Sequence, residues 1–216
     1  GPDGHPAKGG FLPPVPLPRR MWAGGRLRFE QPLLLGERVT KLSTIKSVTA
    51  KSGKSGDLVF VTVEHQLSGE RGLAIVEEQD IVYKGESAPG SIPAPAASGP
   101  APTAPWQRAV MPDTVLLFRY SALTMNGHRI HYDLPYARDV DAYPALGAHG
   151  PLQASLLIDL AARRLGKPIG KFAFRGQQPA FAGAPLFLCG ETAEDGASVW
   201  TEQDGRKNMT ASVTVG

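Results

Sequence analysis

The chain has 216 residues, of which 42% are hydrophobic and 20% charged, so it can bury a sizeable core in one large or two small domains. Its net charge of +3 and its scattered basic residues give no case for a nucleic-acid partner, and its single cysteine, Cys189, excludes a disulfide framework and a thiolate metal site. Without a membrane-length apolar run or the apolar core of a signal peptide, we expect a cytoplasmic protein with no membrane partner.

The first half of the chain is expected to consist mainly of strands. Four prolines between residues 11 and 18 forbid a regular helix there, and "PRRMWA" at 18–23 has room for one or two helical turns at most. The mixture of β-branched and polar residues at 38–50 is typical of a strand. Residues 57–68 and 72–84 flank a "GERG" turn, which predicts an antiparallel hairpin.

Residues 87–105, "SAPGSIPAPAASGPAPTAP", contain no charge and no apolar period. Such a segment cannot bury enough surface to offset the entropy of ordering it. We therefore predict an extended linker that separates a first unit, residues 1–86, from a second unit, residues 106–216.

The second half is expected to combine one long helix with several strands. "DTVLLFRYSALT" at 113–124 is interpreted as a strand that runs into a turn. "GPLQASLLIDLAARRLG" predicts a helix, with Pro151 in its first turn and Gly166 at its end. Further strands are predicted at 171–175, 184–192, 198–203 and 207–215. This is an α+β unit in which a sheet wraps the helix.

The two halves share a pattern that indicates an internal repeat. "GRLRFEQPLLLGERV" begins at Gly25, and "GKFAFRGQQPAFAGAPL" begins at Gly170. In both, a Gln-Pro pair is followed four residues after the proline by a glycine, Gly36 or Gly183, which would allow a tight bend. The first copy lacks a matching long helix, so we expect it to be degenerate and to begin part-way through, with further residues upstream. Chance similarity among common residues is the alternative.

The stretch "YSALTMNGHRIHYDLPYA" at 120–137 concentrates proton-handling and hydrogen-bonding side chains, and "AHGPLQAS" follows it at the start of the predicted helix. Together these strings resemble the hydratase motif of the MaoC-like, R-specific enoyl-CoA hydratase family. With "PLPRRMWAGG" and "VEEQDIVY", the chain is similar to the two-hot-dog branch that includes mesaconyl- and itaconyl-CoA hydratases and mitochondrial 3-hydroxyacyl-thioester dehydratase. The resemblance implies a double hot-dog fold with a catalytic second unit, and it adds the mitochondrial matrix as an alternative location.

The resemblance implies a hydro-lyase that adds water to an α,β-unsaturated acyl-CoA, or removes it from the 3-hydroxyacyl-CoA, with coenzyme A as part of the substrate and no separate cofactor. His131 is assigned the acid–base role, since imidazole titrates near neutral pH. Asn126 stands where the family has an aspartate, so it is expected to place the water. The backbone N–H of Gly150, at a helix N-terminus, suits the thioester oxygen.

Four further residues are candidates for binding substrate: His128, Arg129, Tyr132 and Arg175. Structural roles are the alternative for each of them. His149 is expected to fix the start of the helix, and His5 and His65 are expected to be incidental. Arg19 and Arg20 are adjacent and would diverge in a helical turn, so a joint anion site is the less favoured interpretation. His128 and His131 are spaced like a zinc pair but lack a third ligand in sequence, so no metal is expected.

Two other functions remain open at this point. A thioesterase of the same fold would hydrolyse the thioester instead, but it needs a carboxylate to activate water, and the corresponding position holds Asn126. A non-catalytic acyl-thioester-binding protein is the other alternative. The acyl group is not identified; a basic residue near the pocket would favour a dicarboxylic chain such as mesaconyl or itaconyl. Two units in one chain mimic a dimer of single hot dogs, so a homodimer is compatible with the sequence but not required.

Overall fold

A computed structural model gives the fold of the chain and describes residues 1–53, 56–86, 94, 96, 99 and 101–216. The strands of the first half are β1 (Arg19–Phe29), β2 (Thr40–Gly53), β3 (Gly56–Gly69) and β4 (Gly72–Lys84). Those of the second half are β5 (Trp106–Val110), β6 (Ile169–Gly176), β7 (Leu186–Ala193), β8 (Gly196–Gln203) and β9 (Arg206–Val215). The helices are α1 (Thr114–Leu123), α2 (Leu134–Asp139) and α3 (Gly150–Leu165), and a 3-10 turn spans Arg129–His131.

The nine strands form one continuous antiparallel sheet in the order β2-β3-β4-β1-β6-β9-β8-β7-β5. β1 and β6 pair with each other and join the two halves. Outward from this pair, β4, β3 and β2 follow β1, while β9, β8 and β7 follow β6. The same order therefore runs outward on both sides, which is the predicted double hot-dog fold of the α+β class.

The two copies of the repeat form the central strand pair. Leu27 in β1 lies opposite Phe172 in β6, and these are equivalent positions of the two copies. Arg26, the residue before Leu27, lies opposite Ala173, the residue after Phe172. Arg28, the residue after Leu27, lies opposite Lys171, the residue before Phe172. An approximate two-fold axis therefore passes between Leu27 and Phe172. The predicted repeat corresponds to a real structural duplication.

The turns that follow the two central strands also repeat. The backbone N–H groups of residues 30 and 31 both donate to one carbonyl of β4, at 2.8 and 3.3 Å. Those of residues 177 and 178 both donate to one carbonyl of β9, at 2.8 and 3.2 Å. Gly36 and Gly183 have φ angles of 88° and 90°, a region that favours glycine. The bends predicted at these two glycines are confirmed.

α3 packs on one face of the second unit's sheet, called here the inner face, and fills the main core. Leu157 and Leu160 of the helix pack with Phe172, Phe174 and their neighbours on β6 to β9. Gly166 ends the helix with a φ of 62°. The predicted helix is confirmed. Its apolar residues recur at helical spacing, and its ends carry proline and glycine, which is why the sequence predicts it.

The inner face of the first unit is covered by an extended segment instead of a helix. Val15 is buried against apolar side chains of β3 and β4, and Leu12 and Leu17 pack beside it. The prolines between them keep the segment extended. The cluster consists of Val15, Val61, Val63, Ile81 and Tyr83. Within the described residues, the first unit has no long helix, as predicted.

Two segments differ from their local expectations. Residues 114–123 form helix α1 and not a strand; Asp113 caps it, accepting the backbone N–H of Leu116 at 2.7 Å. A continuous apolar run fits a buried strand or a helix, and the cap decides between them. Arg19–Trp22 is part of β1 and not a helical turn, because it pairs with the end of β4.

The predicted linker at 87–105 falls mostly on residues outside those described, so the linker and the unit boundaries drawn from it stay predictions. None of the described helices is both long enough and apolar enough to cross a membrane.

Candidate active site

Asn126 lies in the loop that follows α1. Its backbone N–H donates to the carbonyl of Ser121 at 2.9 Å, and its side-chain Oδ1 accepts the backbone N–H of His128 at 3.0 Å. Asparagine favours such local turns. The amide NH2 has no partner among the described residues and can donate to a water, while Oδ1, with one of its two lone pairs used, can still accept from one.

His131 ends the 3-10 turn and is 7% exposed. Its Nδ1 lies 2.7 Å from the carbonyl oxygen of Gly147. A carbonyl only accepts, so the proton must be on Nδ1, and Nε2 carries a lone pair. Burial lowers the pKa of His131 to about 4, against the opposing effect of this hydrogen bond. His131 is therefore a neutral, oriented base at pH 7.

His149 lies against His131 and is fully buried. The two rings stack with centroids 3.6 Å apart and planes 18° apart. The Nε2 of His149 lies 2.8 Å from Ser121 Oγ, which fixes the ring, while its Nδ1 has no partner among the described residues. Burial lowers the pKa of His149 to about 3, and His131 and His128 contribute. His149 thus orients His131 and also immediately precedes α3.

Gly150 is the first residue of α3, where backbone N–H groups have no partner within the helix. A Cβ at this position would lie 3.2 Å from Cε3 of Trp22 and 3.9 Å from Cε of Met209. A side chain here would crowd Trp22, which belongs to β1 of the first unit. The site lies where the two units meet. The Nε1 of Trp22 is buried without a partner among the described residues.

The N-terminal segment, which contains Asp3 and His5, lies against the loop between α1 and α2, residues 124–133, called here the motif loop. The backbone N–H of Arg129 donates to the carbonyl of Asp3 at 2.9 Å, and the ring of His5 lies 4.0 Å from that of His128, measured between centroids. His128 is in turn edge-on to His131, at 5.5 Å. Burial, with smaller effects of His5 and His131, lowers the pKa of His128 to about 3. His5, which was expected to be incidental, thus joins His128, His131 and His149 in one group of ring contacts, called here the histidine cluster.

The cluster contains a group of potential metal ligands that the sequence did not bring together. Ligand atoms of Asp3, His5 and His128 lie within 4.8 Å of one another. Two of them already satisfy each other, since Asp3 Oδ2 lies 3.0 Å from His5 Nδ1. The zinc-like spacing of His128 and His131 does not define this group, because His131 is bound to Gly147.

Two of the predicted substrate-binding residues have partners within the fold. Arg129 donates to Asp133 Oδ2 from Nε at 2.9 Å and from a terminal nitrogen at 2.7 Å, and it lies over the ring of Tyr136. Tyr132 donates from its hydroxyl to the carbonyl of Gly127 at 2.7 Å. Both side chains hold the motif loop in shape.

Arg175 is not brought to the cluster. Its neighbour Phe174 points to the inner face and packs in the α3 core, so Arg175 points to the outer face by the alternation of strand residues. There it lines a shallow groove with Lys207 and Trp200. The structure therefore joins Asn126, His128, His131 and Gly150 in one region and places Arg175 on the other side of the sheet.

Sequence reasoning missed the contributions of the first unit. Trp22 touches the start of α3, and Asp3 and His5 touch the motif loop, although more than 100 residues separate them along the chain. The available signal was the string "PLPRRMWAGG", which contributed only to the family resemblance.

Comparison with known proteins gives relatives over nearly the whole chain. A sequence model of the family Htd2, hydroxyacyl-thioester dehydratase type 2, matches residues 1–182. The mesaconyl-C(4)-CoA hydratase of Chloroflexus aurantiacus is 47% identical over 215 residues, or 99% of this chain and 76% of that protein. The mitochondrial hydroxyacyl-thioester dehydratase type 2 of Schizosaccharomyces pombe is 30% identical over 200 residues, or 82% of this chain and 66% of that protein.

The fold is also found in solved structures. The crystal structure of HtdX from Mycobacterium tuberculosis is similar, with a TM-score of 0.71 over 91% of this chain and 76% of that one, at 18% identity. That likeness concerns the fold alone. From the family model and the two sequence relatives, the chain belongs to the hydroxyacyl-thioester dehydratase type 2 family.

Proposed function

We propose that the chain is a hydro-lyase that reversibly adds water to the double bond of an α,β-unsaturated acyl-CoA thioester. The observation that carries this proposal is the hydrogen bond between His131 Nδ1 and Gly147 O, because it leaves Nε2 unprotonated beside the start of α3. A base at Nε2 and an N–H donor at Gly150 are the two groups that hydration of an enoyl thioester requires.

The proposed reaction begins with a water held by the amide NH2 of Asn126. As the water oxygen bonds to the β-carbon, His131 Nε2 takes one of its protons. The electron pair of the double bond moves toward the thioester carbonyl, whose developing negative charge faces the N–H of Gly150. The α-carbon then receives the proton from His131, so the histidine returns to its neutral form and no cofactor is consumed.

The substrate proposed is a branched dicarboxylic thioester of the mesaconyl type. The support is the 47% identity to the Chloroflexus relative, which is named for mesaconyl-C(4)-CoA. Thioester hydrolysis is disfavoured, because the position for a water-activating carboxylate holds Asn126, whose oxygen is bonded to His128 N–H. The nearby Asp133 is paired with Arg129.

The test is the turnover of a His131→Ala variant on mesaconyl-C4-CoA. Loss of a general acid–base group should lower turnover by on the order of 10²-fold or more. Hydration removes the ultraviolet band of the conjugated thioester, whereas hydrolysis releases a free thiol, so the two reactions are measured separately.

A matched control is His65→Ala, which removes a buried histidine of the first unit that is bonded to Ser43 and Gln79. This control should keep its turnover, and His128→Ala should lose less than His131→Ala. Melting temperatures of all variants separate lost chemistry from lost folding. Wild-type turnover by a folded His131→Ala protein would refute the proposed function.

A further inference from the structure

We propose that Arg20 binds a second carboxylate of the acyl chain and thereby makes the site selective for dicarboxylic thioesters. This inference rests on the proposed function, and it adds the residue that would select the substrate. It comes from the position of one arginine of the first unit and from the partners of its neighbours.

Arg20 lies on the inner face of β1, two residues before Trp22. Arg20 and Trp22 are two residues apart in the strand and pair with Tyr83 and Ile81 of β4, so their side chains point to the same face. Trp22 touches the position of the Gly150 side chain. Arg20 is therefore the next inward-facing residue along β1 from the proposed site of the thioester oxygen.

Arg20 also lies beside the histidine cluster. A terminal nitrogen of its guanidinium donates to the carbonyl of Pro6 at 3.2 Å. Pro6 follows His5, whose ring packs against that of His128. In agreement with this position, the charge of Arg20 adds to burial in lowering the pKa of both His5 and His128.

Arg20 differs from the other arginines near the site in the partners it has. Arg19 donates to two carbonyls and lies 3.5 Å from the carboxylate of Asp141. Arg129 is paired with Asp133 at 2.7 Å. For Arg20, no carboxylate lies within 4.0 Å in the described part of the chain, and its hydrogen-bond partner there is a neutral carbonyl.

A half-buried guanidinium beside His5 and His128 is best satisfied by an anion, and its planar donors match a carboxylate. A carboxylate close to the β-carbon of the acyl chain would lie between His131 and β1, within reach of Arg20. A phosphate of coenzyme A is the other source of an anion, and it would be common to all acyl-CoA substrates. If Arg20 binds the acyl carboxylate, its loss should affect dicarboxylic substrates alone. If it binds a phosphate of coenzyme A, its loss should affect all acyl-CoA substrates equally.

The experiment compares Arg20→Gln with wild type on two substrates. Mesaconyl-C4-CoA carries the second carboxylate, and its methyl ester has the same chain without that charge. We expect Arg20→Gln to lower kcat/KM for the acid by about 10²-fold, the usual effect of losing a charge-assisted bond in a site. For the methyl ester, kcat/KM should fall by less than about threefold.

The control Arg28→Gln removes an exposed arginine from the outer face of the same strand and should leave both substrates unaffected. Equal losses on both substrates would overturn the inference in favour of a phosphate or structural role. Unchanged kcat/KM on the acid, or a wild-type preference for the ester, would also overturn it. If wild type hydrates the ester and this activity requires His131, but Arg20→Gln affects both substrates equally, this inference fails and the proposed function stands. Hydration of neither substrate by wild type would instead remove the proposed function.

Discussion

Lowering the pH from 7 to 5 should destabilise the folded chain through its two stacked, buried histidines. An unfolded histidine has a pKa of 6.5, whereas burial lowers the pKa of His131 to about 4 and that of His149 to about 3. Below pH 6.5 the unfolded state therefore binds more protons than the folded state, so stability falls with pH. The loss begins near pH 6.5 and continues until the folded histidines themselves become protonated, near pH 4 for His131.

The size of the effect follows from the distance between pH 5 and the unfolded pKa. Over about 1.5 pH units, at about 1.4 kcal/mol per unit, each histidine should contribute a loss of about 2 kcal/mol. Both histidines together should contribute about 4 kcal/mol. A typical domain has a total stability of about 5–15 kcal/mol, so the loss should be easy to measure.

The assay is urea unfolding of wild type and of the double variant His131→Gln/His149→Gln at pH 7 and pH 5. Glutamine does not titrate, so the double variant should lose about 4 kcal/mol less stability between the two pH values than wild type does. Comparing each protein with itself removes the pH-independent cost of the substitutions, and carboxylates titrate alike in both. An equal loss in both proteins would refute the conclusion that these histidines are buried in the neutral form.

Two further predictions concern the loop that carries the motif. A Cβ on Gly4 would lie 1.7 Å from the carbonyl oxygen of Gly127, so Gly4→Ala should displace the N-terminal segment and lower kcat/KM by about tenfold or more. Gly9→Ala is the matched control, because Gly9 has nearly the same φ, 85° against 87°, without that clash; equal losses would contradict the role of the segment. Asn126→Asp should preserve the turn, since a carboxylate still accepts the N–H of His128, but it should lower turnover at least about tenfold because it cannot donate. Wild-type turnover with an unchanged melting temperature would show that donation by Asn126 is not needed.

The local sequence was sufficient for the elements whose signals are themselves local. The hairpin of β3 and β4 follows from alternating residues on both sides of a short turn, and α3 follows from helical spacing between Pro151 and Gly166. The two copies of the repeat fall on β1 and β6, although only the structure shows that these strands form the central pair. Where a local signal fits two structures, as in the apolar run of α1, the wrong one was predicted.

Some features of the candidate site could likewise be found from the sequence, and others could not. Asn126, His131 and Gly150 could be found from the sequence, because they lie in a short motif and at a helix start. The proton position on His131 could not, since it depends on the carbonyl of Gly147, which lies in the segment between α2 and α3. The contribution of His5 could not either, because it is a contact made across the fold.

The sequence by itself therefore determined the repeat and the double hot-dog class, and it singled out His131 as the proposed base. Only the tertiary structure decided which side chains of the first unit reach that histidine. The physical reason is that each strand residue points to one of two faces, and the pairing of β1 with β4 and β6 decides what lies over each face. That pairing directs Arg20 and Trp22 toward the site, and it directs Arg175 away from it.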